Sequence, residues 1–284
     1  MGGSWQNALR TIINKQNYSA QICGFLRRNP QQQRTMDSTW WLFFAVGMGA
    51  QLVDGALGMA FGVTATTFLL SFGVAPAQAS AMVHIAEIFT TAASGASHWA
   101  QRNIDWGIVK RLAIPGTVGG AIGATVLSNV DGKVIAPFIT IYLAIMGLVI
   151  LFKAVRLALE MQPSWRGMPV VGFFGGLLDA IGGGGWGPIV TSTLIGGGHS
   201  PRYVIGSVNI TEFLVTVVTS AAFALSLGLM DILPVIPFIL GGLIVAPFAG
   251  YLTRIVPTRL LMAIVGCLVL GLSLRSLLKL VGWL

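Results

Sequence analysis

Apolar runs of about 20 residues, long enough to cross the hydrocarbon core of a bilayer, follow one another from Trp40 onward with very little charge inside them. Backbone in hydrocarbon has no water to bond, so such runs must be helices that pair their amides internally. The predicted class is an all-α polytopic membrane protein. Composition agrees: of 284 residues, 55% are apolar and 9% charged, against about 25% charged in a soluble domain. A soluble enzyme, a disordered chain and a nucleic-acid-binding domain are excluded. The net charge of +8 fits basic residues gathered in cytoplasmic loops better than a nucleic-acid partner. Cys23 and Cys267 give no readable disulfide framework or CxxC metal site.

Residues 1–39 read as a polar, basic tail holding Arg10, Lys15, Arg27, Arg28 and Arg34, without the apolar core of a signal peptide. Within it, Trp5–Leu26 is expected to be disordered, with a helix on the membrane surface as the alternative, and Pro30–Arg34 to be a flexible linker. The remainder repeats itself. Laying Asp54 on Asp179 also lays Gly58 on Gly183, Gly62 on Gly187, Thr66 on Thr191, Gly73 on Gly198, Pro76 on Pro201, Glu87 on Glu212 and Thr91 on Thr216. Composition bias can align glycines, but not two scarce acids and a proline at one shift. The expected domains are repeat 1 (40–159), a linker (160–166) and repeat 2 (167–284).

Each repeat opens with an apolar stretch, Trp40–Phe72 or Met168–Gly198, interrupted by glycines and one Asp. It is too long for one straight span and too short for two, so it is a discontinuous span or a re-entrant hairpin. Three apolar segments follow in each: about Gln78–Ala100, Ile108–Leu127 and Val134–Leu157, then Tyr203–Leu229, Ile232–Leu252 and Thr258–Leu280. Paired interrupted segments point to a transporter's binding site. Loop charge separates parallel from inverted repeats only through the tail, so both orientations stay open.

The run Gly182-Gly183-Gly184-Gly185-Trp186-Gly187-Pro188 marks the break in repeat 2. A half-helix starting near Pro188 aims unpaired N–H groups and a positive dipole end at an anion; tight helix packing is the plainer use of such glycines. Thr191, Ser192 and Thr193 add hydroxyls one turn later. On the next span, Ser80, His84, Glu87, Thr91, Ser94 and His98 recur every three or four residues and share one helix face. Asn209, Glu212, Thr216 and Thr219 repeat it. A Glu at bilayer depth costs about 2.5–3.5 kcal/mol on insertion scales, so these groups face partners or water. His84 and Glu87 can share a proton. Asp54 and Asp179 can cap the half-helices or titrate, with capping favoured for Asp179. His98 and His199 are expected at the interface. No metal-ligand spacing, P-loop or nucleophile elbow is present, so transport would draw on gradients.

The stretch Gly175–Pro188, reading GGLLDAIGGGGWGP, resembles the glycine-rich motif of the TauE/SafE sulfite-exporter (TSUP) family. Ala96–Trp106 resembles its loop pattern of His followed by Asn-x-Asp-Trp, and Gly206-Ser207-Val208-Asn209 its Gly-Thr-Ser segment. The resemblance runs from about Trp40 to the C-terminus. It implies a secondary transporter of small anions, mostly sulfur compounds such as sulfite and sulfonates. Repeat 1 departs from the pattern, with Leu57-Gly58-Met59-Ala60-Phe61-Gly62 in place of the glycine run and with His84 and Glu87 on the next span. Those departures fit proton coupling, and equally a different substrate such as an amino-bearing sulfonate or a metal ion.

The expectation is a non-enzymatic transporter of a small sulfur oxyanion or organosulfonate in a bacterial cytoplasmic membrane, working by alternating access and coupled to protons. A passive anion channel is the alternative, and a membrane enzyme or sensory subunit a remoter one. The anion is expected between the breaks, on Gly183, Gly184, Gly185, Trp186, Gly187, Gly58 and Gly62, with Thr66, Thr191, Ser192 and Asn209 as side-chain contacts. Glu87, His84, Glu212, Asp54 and Asp179 are the proton-coupling candidates. The expected partners are the substrate and the bilayer, with no nucleic acid, cofactor or metal; a homo-oligomer stays open.

Overall fold

The computed structural model describes residues 30–155, 167–228, 233–251 and 258–280. The segment Trp5–Leu26 and the linker Glu160–Arg166 lie outside the described residues. Within them, ten α-helices and a few short 3-10 and π turns account for the regular structure, with no strand. In chain order these are α1 (Pro30–Leu57), α2 (Phe61–Ser71), α3 (Pro76–Ala100), α4 (Trp106–Ser128), α5 (Gly132–Val155), α6 (Met168–Gly182), α7 (Ser192–Gly196), α8 (Pro201–Leu227), α9 (Ile236–Val245) and α10 (Thr258–Leu280). A π turn, Gly187–Thr191, leads into α7, and 3-10 turns flank α9.

Two units divide at Leu42/Phe43. In the first, the described backbone is already helical from Pro30, where a linker was expected. Proline suits a first helical turn, and glutamine is a good helix former, so PQQQR continues a helix as readily as it makes a loop. Trp40 and Trp41 pack edge to face there, 5.0 Å apart. The second unit, Phe43–Leu284, contains the candidate site.

Local signals explain most helix starts in the second unit. Ala75 and Ser200 are extended (ψ 144° and 122°), as a residue before proline must be, and Pro76 and Pro201 open α3 and α8. Asp105 caps α4 by accepting from Gly107 N at 2.7 Å. Three helices, Trp40–Leu57, Gly132–Lys153 and Pro201–Leu227, are long and apolar enough to cross a membrane. Helix α3 has a buried polar face, which lowers its hydropathy although it is 25 residues long.

The polarity is arranged for lipid. Large apolar side chains such as Ile114 (73% exposed), Phe138 (65%) and Phe248 (60%) face outward, while Gln51, Asp54, Thr66, His84, Glu87 and Glu212 are buried. Lipid is as apolar as the core, so helix association must come from close packing rather than from excluding water. Glycine supplies it. A methyl on Gly123 of α4 would sit 2.5 Å from Leu177 O of α6, and methyls on Gly119 and Gly176 would overlap the facing backbones of Phe173 and Gly116. Gly47 of α1 meets Phe238 of α9 in the same way, and Gly147 of α5 meets Leu270 of α10.

Gly119→Ala and Gly176→Ala should therefore each destabilise by about 1–3 kcal/mol through overpacking, read as a lower thermal midpoint in detergent. Gly49→Ala is the control: nothing lies within 4 Å of that added methyl, so the midpoint should hold or rise with helix propensity.

Candidate functional site

The site is built where two helices stop inside the protein. Helix α6 ends at Gly183, in the left-handed region at φ 66°, followed by Gly184 at φ 148°. Only glycine takes such angles without strain. Asp179, one turn back, then serves the freed backbone: its carbonyl accepts from Gly184 N at 3.1 Å. Its Oδ1 accepts from Gly185 N at 2.7 Å and Trp186 N at 3.0 Å. The other break repeats the first of these angles. Gly58 has φ 64°, its N–H donates to Asp54 O at 2.6 Å, and the Asp54 carboxylate bonds the backbone of Phe61. Ala60 takes φ 102°, unusual for a residue with a side chain, at the position that Gly185 holds in the second break.

These caps change what the glycine turn offers. The N–H groups of Gly185 and Trp186, expected to face an incoming anion, already hold one in the carboxylate of Asp179. The capping expected of Asp179 is what the structure contains.

The two breaks are also fastened to each other. Thr66 of α2 donates its hydroxyl to Gly183 O, and Thr191 donates to Gly58 O at 2.6 Å. Each hydroxyl thus closes the orphan carbonyl of the opposite break. Backbones meet between them: a methyl on Gly62 would lie 2.8 Å from Gly184 Cα, and one on Gly187 would strike Met59. Thr66 and Thr191 were expected to contact substrate, and here their protons are used on the protein itself. Ser192 differs, since its buried Oγ has no partner among the described residues.

Around this crossing, Asp54, Glu87, Asp179 and Glu212 line one small cavity together with Gly62, Gly184, Gly185 and Gly187. All four acids are at least 96% buried. No Lys or Arg lines the cavity. Asp54 Oδ2, Glu87 Oε2, Glu212 Oε2 and Asn209 Oδ1 have no hydrogen-bond partner among the described residues. Asn209 otherwise donates back to Ile205 O on its own helix. His84 Nδ1 lies 2.8 Å from Ser80 O and Nε2 lies 3.2 Å from Asp179 Oδ2. A carbonyl only accepts, so Nδ1 carries the hydrogen. One donor atom each of His84, Glu87 and Asp179 falls within 4.8 Å of the other two. Sequence spacing could not reveal that group, because Asp179 is remote in the chain from the other two.

Trp186 is fully buried in the apolar cluster with Ile108, Leu112 and Val215, against Gly116 and Gly175. Two histidines expected at the membrane interface are both buried in the protein. His98 is fully buried, with Nε2 3.3 Å from Gly55 O and Nδ1 3.3 Å from the Asn103 amide. His199 is 7% exposed. Asn103 also donates to Gly250 O, while Arg202 bonds Asn103 and Gln101 O. The His…Asn-x-Asp-Trp pattern therefore ties the α3–α4 turn to α8 and to the segment after α9.

Two contacts near the site escaped sequence reasoning. Tyr142 of α5 donates to Gly184 O at 3.3 Å; a lone phenol in an otherwise apolar segment was its available signal. Lys153, near the end of α5, reaches Pro188 O at 3.2 Å. Its long stem lets a residue near a helix end place its amine elsewhere.

The reciprocal hydroxyl bonds predict that Thr66→Val and Thr191→Val each cost about 1–3 kcal/mol, the penalty for stranding a buried carbonyl. Thermal unfolding without ligand is the measurement, and Ser192→Ala should leave the midpoint unchanged. Unaltered midpoints in both valine variants would show that these hydroxyls do not hold the breaks together.

The family model described as sulfite exporter TauE/SafE matches residues 43–276. The "Probable membrane transporter protein YtnM" of Bacillus subtilis (strain 168) is 42% identical over 247 residues, covering 84% of this chain and 82% of that protein. No solved structure matches. The inward-facing polar groups and lipid-compatible surface described above are those of a multi-pass membrane transporter, and the chain belongs to the sulfite exporter TauE/SafE family.

Proposed function

We propose that this transporter is a secondary carrier that moves a small anion, a sulfur oxyanion or organosulfonate, across a bacterial cytoplasmic membrane by alternating access. The observation that carries the reading is the meeting of the two helix breaks at one buried cavity lined by acids from both halves of the chain. A site of this kind is exposed to one side or the other when the halves rock about it. The two halves are two copies of one unit. The matching left-handed glycines, aspartate caps and reciprocal threonines support that duplication.

The anion binds at the turn Gly183–Gly187, where the N–H groups now held by Asp179 mark a place for negative charge. Glu87 and Glu212 take up and release protons, which keeps four neighbouring carboxylates from repelling the substrate. The sulfur chemistry of the substrate comes from the family. The small cavity supports a gated carrier over an open channel.

Reconstituted into liposomes, the protein should accumulate sulfite or a short sulfonate under a pH gradient, with saturation and counterflow. Flux without either would indicate a passive channel. Glu212→Gln should abolish pH-driven uptake while leaving substrate binding intact; full proton-coupled flux in that variant would remove Glu212 from the role.

A further inference from the structure

Electrostatic neutrality at the crossing raises a question that anion transport alone leaves open. Four acids line the cavity and no Lys or Arg does, so protons, the His84 imidazole paired with Asp179, or a bound cation must offset them when an anion approaches. The volume restricts what such a cation can be. The cavity amounts to about 10 Å³, room for one water-sized body; an oxyanion such as sulfite does not fit this conformation, whereas a bare metal ion does.

The donors are already prepared. His84 gives its Nδ1 hydrogen to Ser80 O, the arrangement that orients a metal-ligating imidazole. Its Nε2 does not line the cavity itself but pairs with Asp179 Oδ2, which does, at 3.2 Å, so a metal ion would take the place of the proton between them. The Glu87 side chain is 2% exposed, lines the cavity, and leaves its Oε2 without a partner. Two metal–ligand bonds of about 2.1 Å at the tetrahedral angle put neighbouring donors about 3.4 Å apart. The three donors here lie within 4.8 Å of one another, so the widest pair must draw in by up to about 1.4 Å to share one ion. Asp54 and Glu212 line the same cavity with an unpartnered oxygen each.

We propose that His84 Nε2, Glu87 and Asp179 bind one divalent first-row metal ion at the crossing of the two breaks, the two carboxylates balancing its charge beside Asp54 and Glu212. One imidazole with carboxylates suits this class of ion over soft, thiolate-seeking ones. The proposal deepens the transport reading by naming a cation that offsets two of the four acids, and it rests on the crossing being that transport site. Asp179 turns its Oδ2 toward the metal and keeps Oδ1 on the turn, so ion occupancy and the shape of the glycine turn are linked through one carboxylate.

The test uses the purified full-length chain loaded with Mn2+ in the absence of any candidate anion. Metal analysis after removal of excess ion should give about one Mn2+ per chain, and Zn2+ should compete for it. The electron spin resonance of bound Mn2+ should carry a nitrogen coupling from His84. His84→Asn, which installs the residue found at the matching position 209, should abolish that coupling. Both His84→Asn and Glu87→Gln should weaken Mn2+ binding at least tenfold, while Cys267→Ser, at an exposed position, should leave it unchanged. A folded, monodisperse wild-type protein that binds no Mn2+ or Zn2+ at millimolar concentration overturns the proposal. So does bound Mn2+ without nitrogen coupling, a result that needs no variant to fold. Stoichiometric binding in a protein that transports no anion would sink the function proposed above and leave the metal site standing.

Discussion

Everything at the centre of this protein follows from one constraint: a helix that stops inside a bilayer leaves backbone groups that water cannot reach. Each break meets that demand twice. An aspartate one turn back takes the N–H groups of the following segment, and a threonine from the other half takes the carbonyl at the helix end. The second provision matters most for function. Neither break is complete without the other, so the halves are joined at the cavity itself. Any relative movement of the halves must strain or exchange the Thr66 and Thr191 bonds, so the alternating access proposed above would have to act at this crossing.

The same demand explains where polarity is spent. Among the described residues, the four acids of the cavity and the threonines of the breaks are buried, and large apolar side chains, mostly Ile, Leu, Phe and Val, are exposed on the outer surface. Glycine seams between α4 and α6, and between α1 and α9, bring helix backbones close enough for dispersion to hold them. The acids at the centre are costly in such a scaffold. Their expense falls when they share one site, since a single proton or cation relieves several of them together.

Much of this was legible in the sequence because it depends on local rules. Apolar length marks the spans, proline marks the starts of α3 and α8, and glycine marks the breaks at Gly58 and Gly183. The three-and-four spacing of Ser80, His84 and Glu87 correctly places one buried face. What stayed hidden was pairing between distant residues. Nothing near Thr66 says that its hydroxyl belongs to Gly183, and nothing near His84 points to Asp179. Lys153 and His98 show the same limit: a charged or polar side chain near a span end gives no sign of its partner, Pro188 O or Gly55 O. The PQQQR stretch misled through composition, because glutamine serves loops and helices alike.

Asp179 joins these strands of the argument. One oxygen occupies the turn that any anionic substrate would use, and the other faces the imidazole of His84. An anion that takes the N–H groups of Gly185 and Trp186 must first displace this carboxylate. Displacement carries a negative charge toward Glu87 and Glu212, into a space without a basic side chain on its walls. It is therefore unfavourable unless a proton or a cation arrives with the anion. In the carrier proposed above, the substrate would thus be coupled to positive charge through the geometry of one residue, and an uncoupled leak would be opposed by the protein's own carboxylate.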